Sequence, residues 1–115
     1  MPEGRIAAVL IHVADQEAGL DWYSQAFPQA QRRVVEGFTL LDVGGISLEI
    51  VPADAKVSSG AAGTVVYWHT DNFAAELNRL QALGAVLYRG PMAIEEGQQM
   101  AQVKDPWGNL LGLRG

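Results

Sequence analysis

The chain has 115 residues, 49% of them apolar and 18% charged, enough for one domain with a real core and unlike a disordered tail. A net charge of −5 with eight scattered basic residues argues against a nucleic-acid partner, and no apolar run approaches the roughly 18 residues of a membrane span. The lack of cysteine excludes disulfides, zinc–thiolate sites and cysteine nucleophiles.

In chain order, the apolar run Ile6 to Val13 reads as a first strand. It leads straight into a helix signal rather than a signal-peptide pattern, so the expected location is the cytoplasm. Asp15 stands as a helix N-cap, with Glu17 favourable in the first turn. The helix is predicted over residues 16–27, with Ala18, Trp22 and Ala26 repeating along one face beside Leu20, Tyr23 and Phe27. Pro28 stops it. Strands are predicted at 31–36, 38–43 and 46–51, with Gly44-Gly45 turning between the last two. A second strand–helix pair follows. Residues 64–70 form the strand, Asp71 the cap, and 73–83 the helix, with Phe73, Leu77 and Leu80 on one face and Gly84 just past its end. Strands at 85–88, 99–104 and 110–114 complete the series. Residues 89–97, with Pro91 and Gly97, read as a long loop able to act as a lid.

Each half thus reads β-α-β-β-β, with Asp15 and Asp71 about half the chain apart. The expected organisation is a single domain, residues 1–115, of two modules at about 5–52 and 64–115 joined by an Ala-, Ser- and Gly-rich connector at 53–63. Strand alternation then sorts side chains. Val9, Ile11 and Val13, Ile46, Leu48 and Ile50, and Leu111 and Leu113 belong to the core with Trp22 and Trp68. Ala8, Leu10 and His12, Ser47, Glu49 and Val51, and Leu110, Gly112 and Arg114 take the other face. On the fifth strand Val65, Tyr67 and His69 share that other face. Trp107 sits in the turn between the last two strands, where Pro106 suits the first central position and Gly108 takes a left-handed angle.

The run Val103-Lys104-Asp105-Pro106-Trp107-Gly108-Asn109-Leu110-Leu111-Gly112-Leu113 resembles the closing hairpin of the vicinal-oxygen-chelate superfamily, the glyoxalase, bleomycin-resistance and extradiol-dioxygenase group. His12-Val13-Ala14-Asp15, with Trp22-Tyr23 and Phe27, resembles that family's first module. The resemblance implies an α+β fold of two βαβββ modules whose curled sheets form a half-barrel around a cleft, with the helices outside. It also implies a homodimer. In the family's metal enzymes, four strand positions supply His or Gln and Glu ligands. The matching residues here are Ala8, Glu49, Val65 and Gly112, three of which cannot ligate through a side chain.

The resemblance and the departures together lead to a metal-free, bleomycin-resistance-like protein that sequesters an amphipathic small molecule in the cleft, with no cofactor. The ligand-binding candidates are Leu10, His12, Glu49, Tyr67, His69, Trp107 and Arg114. The net charge suits a cationic ligand, and an aromatic ligand is the other expectation. One alternative is a glyoxalase- or dioxygenase-like enzyme using Glu49 as an acid–base group, or a displaced metal held by His12 and His69. Another is an interaction module with a vestigial cleft.

Overall fold

A computed structural model describes Gly4 and residues 6–115, so the expected module boundary at residue 5 lies outside the described residues. The fold is α+β and contains two βαβββ units, divided between Ser58 and Ser59.

The first unit contains β1 (Ala8–Val13), α1 (Gln16–Ala26), β2 (Gln31–Val35), β3 (Phe38–Val43) and β4 (Ile46–Pro52). Its sheet order is β1-β4-β3-β2, with β1 parallel to β4 and the other pairs antiparallel. Asp15 caps α1 as expected, its carboxylate accepting from the Ala18 amide at 3.2 Å. The helix ends one residue early, at Ala26, because Phe27 leaves helical geometry at φ −119° and ψ 76°, although its amide still closes the last turn onto the Tyr23 carbonyl. The buried stripe also differs from expectation. Ala18 is exposed, and Gly19 takes its place beside Trp22, Tyr23 and Ala26. A Cβ at Gly19 would lie 2.7 Å from Val13 Cγ2 and 2.8 Å from Ile50 Cγ2. Glycine therefore sets how closely α1 lies on β1 and β4. Val13, Leu41, Leu48 and Ile50 fill the core beneath it, while Ile46 is only half-buried.

The second unit contains β5 (Tyr67–His69), α2 (Phe73–Ala82), β6 (Val86–Ala93), β7 (Gln99–Lys104) and β8 (Leu110–Arg114). Its sheet order, β5-β8-β7-β6, repeats that of the first unit, again with the first strand parallel to the last. Phe73, Leu77 and Leu80 of α2 are buried with Ala101, Val103, Leu111 and Leu113. On the surface of α2, Arg79 donates two hydrogen bonds to Glu76, at 2.7 and 2.9 Å, and holds that carboxyl below the usual carboxylate range.

Several expectations are corrected here. The cap of α2 is Asn72, whose side-chain oxygen accepts from the Ala75 amide at 3.3 Å. Asp71 lies one residue too early for that bond and instead pairs with His69. The strand expected over residues 64–70 is ordered as a ladder only at Tyr67–His69, the residues in register with Gly112–Arg114 of β8, although the Val66 carbonyl already accepts from the Gly112 amide. Trp68 is half-buried rather than core. The expected lid at 89–97 is largely strand. Arg89, Met92 and Ala93 pair with β7 across two register shifts, and Gly90-Pro91, a cis peptide, sits inside β6. An edge strand can hold a proline at such an irregularity because its outer amides need no ladder partner. Gly90 is required there, since a Cβ would lie 2.6 Å from the Met100 carbonyl oxygen. Only residues 94–98 form a turn, containing a 3₁₀ segment at Glu95–Gly97.

Among the described residues no helix is long and apolar enough to cross a membrane.

Candidate functional site

In each unit the helix covers one sheet face, and the chemistry-bearing side chains lie on the other. In the first unit β1 and β4 run in register, with Leu10 beside Glu49 and His12 beside Val51. Leu10 is exposed, while His12 and Glu49 are half-buried. Glu49 is not isolated, because the Ser47 hydroxyl donates to its Oε2 at 3.2 Å along the same strand face. His12 lies at the end of β1, near the loop holding Asp54. That carboxylate accepts from the Val57 and Lys56 amides at 2.8 and 2.9 Å. These amides hold its pKa below the ordinary value, with a smaller contribution from the charge of His12. A shallow depression of about 170 Å³ lies farther along this sheet, between Ala7, Arg33, Leu40, Asp42 and Ser47. It includes none of the predicted ligand-binding residues.

In the second unit three strands bring four residues together. Register places Tyr67 of β5 beside Gly112 of β8, and Gly112 beside Gln102 of β7. The Tyr67 ring lies on the bare backbone of Gly112. A Cβ there would meet ring carbons at 2.6 to 2.9 Å. The Gln102 amide donates to the Tyr67 hydroxyl at 2.6 Å, which fixes the ring from the far side. The Arg114 guanidinium stands 5.1 Å from the ring centroid, within cation–π range. Arg114 also approaches Glu95, at 4.0 Å. His69, in register with Arg114, is exposed and held at Nε2 by Asp71 Oδ1 at 2.9 Å.

The turn between β7 and β8 forms as predicted. The Gly108 amide donates to the Asp105 carbonyl at 3.0 Å, and Gly108 takes φ +88°. Trp107 is half-buried within it. Sequence reasoning missed what makes the turn rigid. Asp105, only 4% exposed, accepts from the amides of Trp107 and Asn109 at 2.8 Å and from the Asn109 side chain at 3.1 Å. Asn109 in turn accepts from the Gly60 amide at 2.9 Å, tying the connector to the hairpin. Gln102 was also missed. A glutamine on a short strand reads as solvent-facing, and only the register of β7 against β8 brings it to Tyr67.

Of the predicted residues, the structure thus groups Leu10 with Glu49 in one unit, and Tyr67 with Arg114 in the other. His12, His69 and Trp107 lie at strand ends or in a turn. The divalent metal that the fold implies does not fit the residues present. Ala8 and Val65 offer only hydrocarbon, and the place of a side chain at residue 112 is taken by the Tyr67 ring. Among the described residues no three His, Asp or Glu side chains gather closely enough to hold a metal ion.

This duplicated βαβββ architecture defines a glyoxalase-like protein. The profile of the Glyoxalase/Bleomycin resistance protein/Dioxygenase superfamily matches residues 5–113, and the chain belongs to that superfamily. No curated protein sequence matches the chain. Solved structures with the same fold include the fosfomycin resistance protein FosX from Listeria monocytogenes, with a TM-score of 0.80 and 14% identity over 100% of this chain and 92% of that one. A superfamily member from Sphaerobacter thermophilus matches with a TM-score of 0.75 and 18% identity over 96% of each chain. TioX from Micromonospora sp. ML1 matches at 0.71 and 19% over 96% and 98%. At these identities the likeness concerns the fold.

Proposed function

We propose that this chain is a metal-independent small-molecule-binding protein, homodimeric and cytoplasmic, which holds an amphipathic ligand against the open faces of its sheets. The observation that carries the reading is Tyr67 lying on Gly112. Where the resemblance places a metal-binding glutamate, this protein has a fixed aromatic ring with a hydroxyl and a neighbouring guanidinium. Such a surface combines apolar area with a few placed polar groups, the usual make-up of a small-molecule site. Glu49 and Leu10 give the first unit a similar mixture.

Two measurements on the purified chain test this. Elemental analysis is expected to find well under one equivalent of Mn, Fe, Ni or Zn. A thermal-shift screen of amphipathic aromatic compounds is expected to yield ligands that raise the unfolding midpoint, by the linkage between binding and stability. A full metal equivalent held by side chains, or turnover of a bound compound that Glu49→Gln abolishes, would overturn the reading in favour of an enzyme. A screen without a hit at saturating concentrations would overturn it in favour of a vestigial interaction module.

A further inference from the structure

The second unit carries a more specific chemistry than general amphipathic binding. Gln102 donates to the Tyr67 hydroxyl, so that oxygen is already used as an acceptor and its own proton is free to be donated elsewhere. The guanidinium of Arg114 stands beside the same ring with a side chain 47% exposed. Both groups lie on one sheet face, because Tyr67 pairs with Gly112 and Arg114 follows Gly112 by one strand repeat. The opposite face is closed by Leu111, Leu113, Ala101 and Val103. This face therefore presents a hydroxyl donor and a fork of N–H donors with a positive charge, held beside an aromatic ring.

The neighbouring charges do not cancel this. Glu95 approaches Arg114 only to 4.0 Å, and its side chain is mostly exposed, an arrangement that contributes little in water. Asp71 is fully exposed, so water screens its charge as well. A planar oxyanion is the partner for which Arg is best suited, since two N–H groups can meet two oxygens and the charge strengthens both bonds.

We propose that Tyr67 and Arg114 form an oxyanion-recognition site, so that the ligand is an aromatic or amphipathic molecule bearing a carboxylate or phosphonate. This rests on the small-molecule reading above and reverses the ligand charge suggested by the net charge of −5. In this arrangement a guanidinium of the chain draws the ligand's negative group to the face on which Tyr67 lies against Gly112.

The test is a titration of the ¹⁵N-labelled full chain with benzoate, phenylphosphonate, benzamide and benzamidine, followed by amide shifts. Benzoate or phenylphosphonate is expected to shift the amides of Tyr67, Gln102, Gly112 and Arg114, and which of the two binds more tightly identifies the oxyanion. Arg114→Gln should weaken that binding about tenfold, the loss expected for one charge-assisted contact, with Arg114→Lys falling between. Tyr67→Phe should weaken it by a smaller factor. The same spectra report whether each variant is folded. Benzamide or benzamidine binding as tightly as benzoate, or an unchanged affinity in Arg114→Gln, would overturn the oxyanion site while leaving small-molecule binding intact. Silence from every probe at millimolar concentration would also overturn it, and the wider amphipathic screen then decides separately whether the protein binds small molecules at all.

Discussion

A methyl group at residue 112 would have to displace the Tyr67 ring near its root, where the ring has little freedom to swing aside. Moving the ring also breaks the 2.6 Å bond from Gln102. Gly112→Ala is therefore expected to destabilise the protein by about 1–3 kcal/mol, the usual cost of overpacking. Tyr67→Ala removes the obstacle, so adding Gly112→Ala to it should cost much less. Urea unfolding of the two single variants and the double variant measures this coupling, and strictly additive effects would contradict the contact. By the same geometry, a glutamate introduced at residue 112 alone is expected not to build a metal site, since its side chain would start inside a phenol ring. Strand alternation was enough to put Tyr67 and Gly112 on one face. That the ring packs directly against Gly112 was not legible, because it depends on the one-to-one register of β5 with β8.

At the level of elements, the caps separate what local sequence specifies from what it leaves open. Asp15 caps α1 at the position its pattern indicates. Thr70-Asp71-Asn72 offers three capping side chains in a row, and only the point where the chain turns into α2 selects Asn72. Asn72→Ala should therefore cost about 1 kcal/mol, a typical loss for an N-cap, while Asp71→Ala, fully exposed and bonded only to an exposed histidine, should cost far less. Equal losses in denaturant would return the cap to Asp71. The β6 strand was misread for a related reason. Gly90-Pro91 is a strong loop signal locally, yet β7 supplies a ladder on both sides of it, and an edge strand tolerates the interruption. The buried pair Asp105 and Asn109 was hidden because both residues are common in exposed turns, and nothing in their spacing announces that Gly60 closes over them.

On the scale of the whole molecule, the duplicated βαβββ plan was legible because caps, apolar runs and turn glycines recur in the same order in both halves. Each sheet ends in an edge strand with exposed apolar side chains. On the β2–β3 hairpin Val34 is 73% and Phe38 68% exposed, and on β6 Val86 is 64% exposed. Side chains of this kind on sheet edges favour association. The proposed homodimer is expected to give twice the chain mass by light scattering at micromolar concentration, and a persistent monomer would remove that element of the reading. The parallel pairing of first and last strands has a consequence for how the units assemble. In the second unit β8 lies between β5 and β7, and within that sheet β5 has no other neighbour. The strand that comes last in sequence is thus the one that joins the first to the rest, and the same holds for β4 in the first unit. Neither sheet can be completed by adding hairpins one after another. Hairpins can build β2-β3-β4 and β6-β7-β8, but the distant first strand of each unit must then dock in parallel along the edge of the last, which makes this non-local pairing, rather than hairpin formation, the slow event in folding.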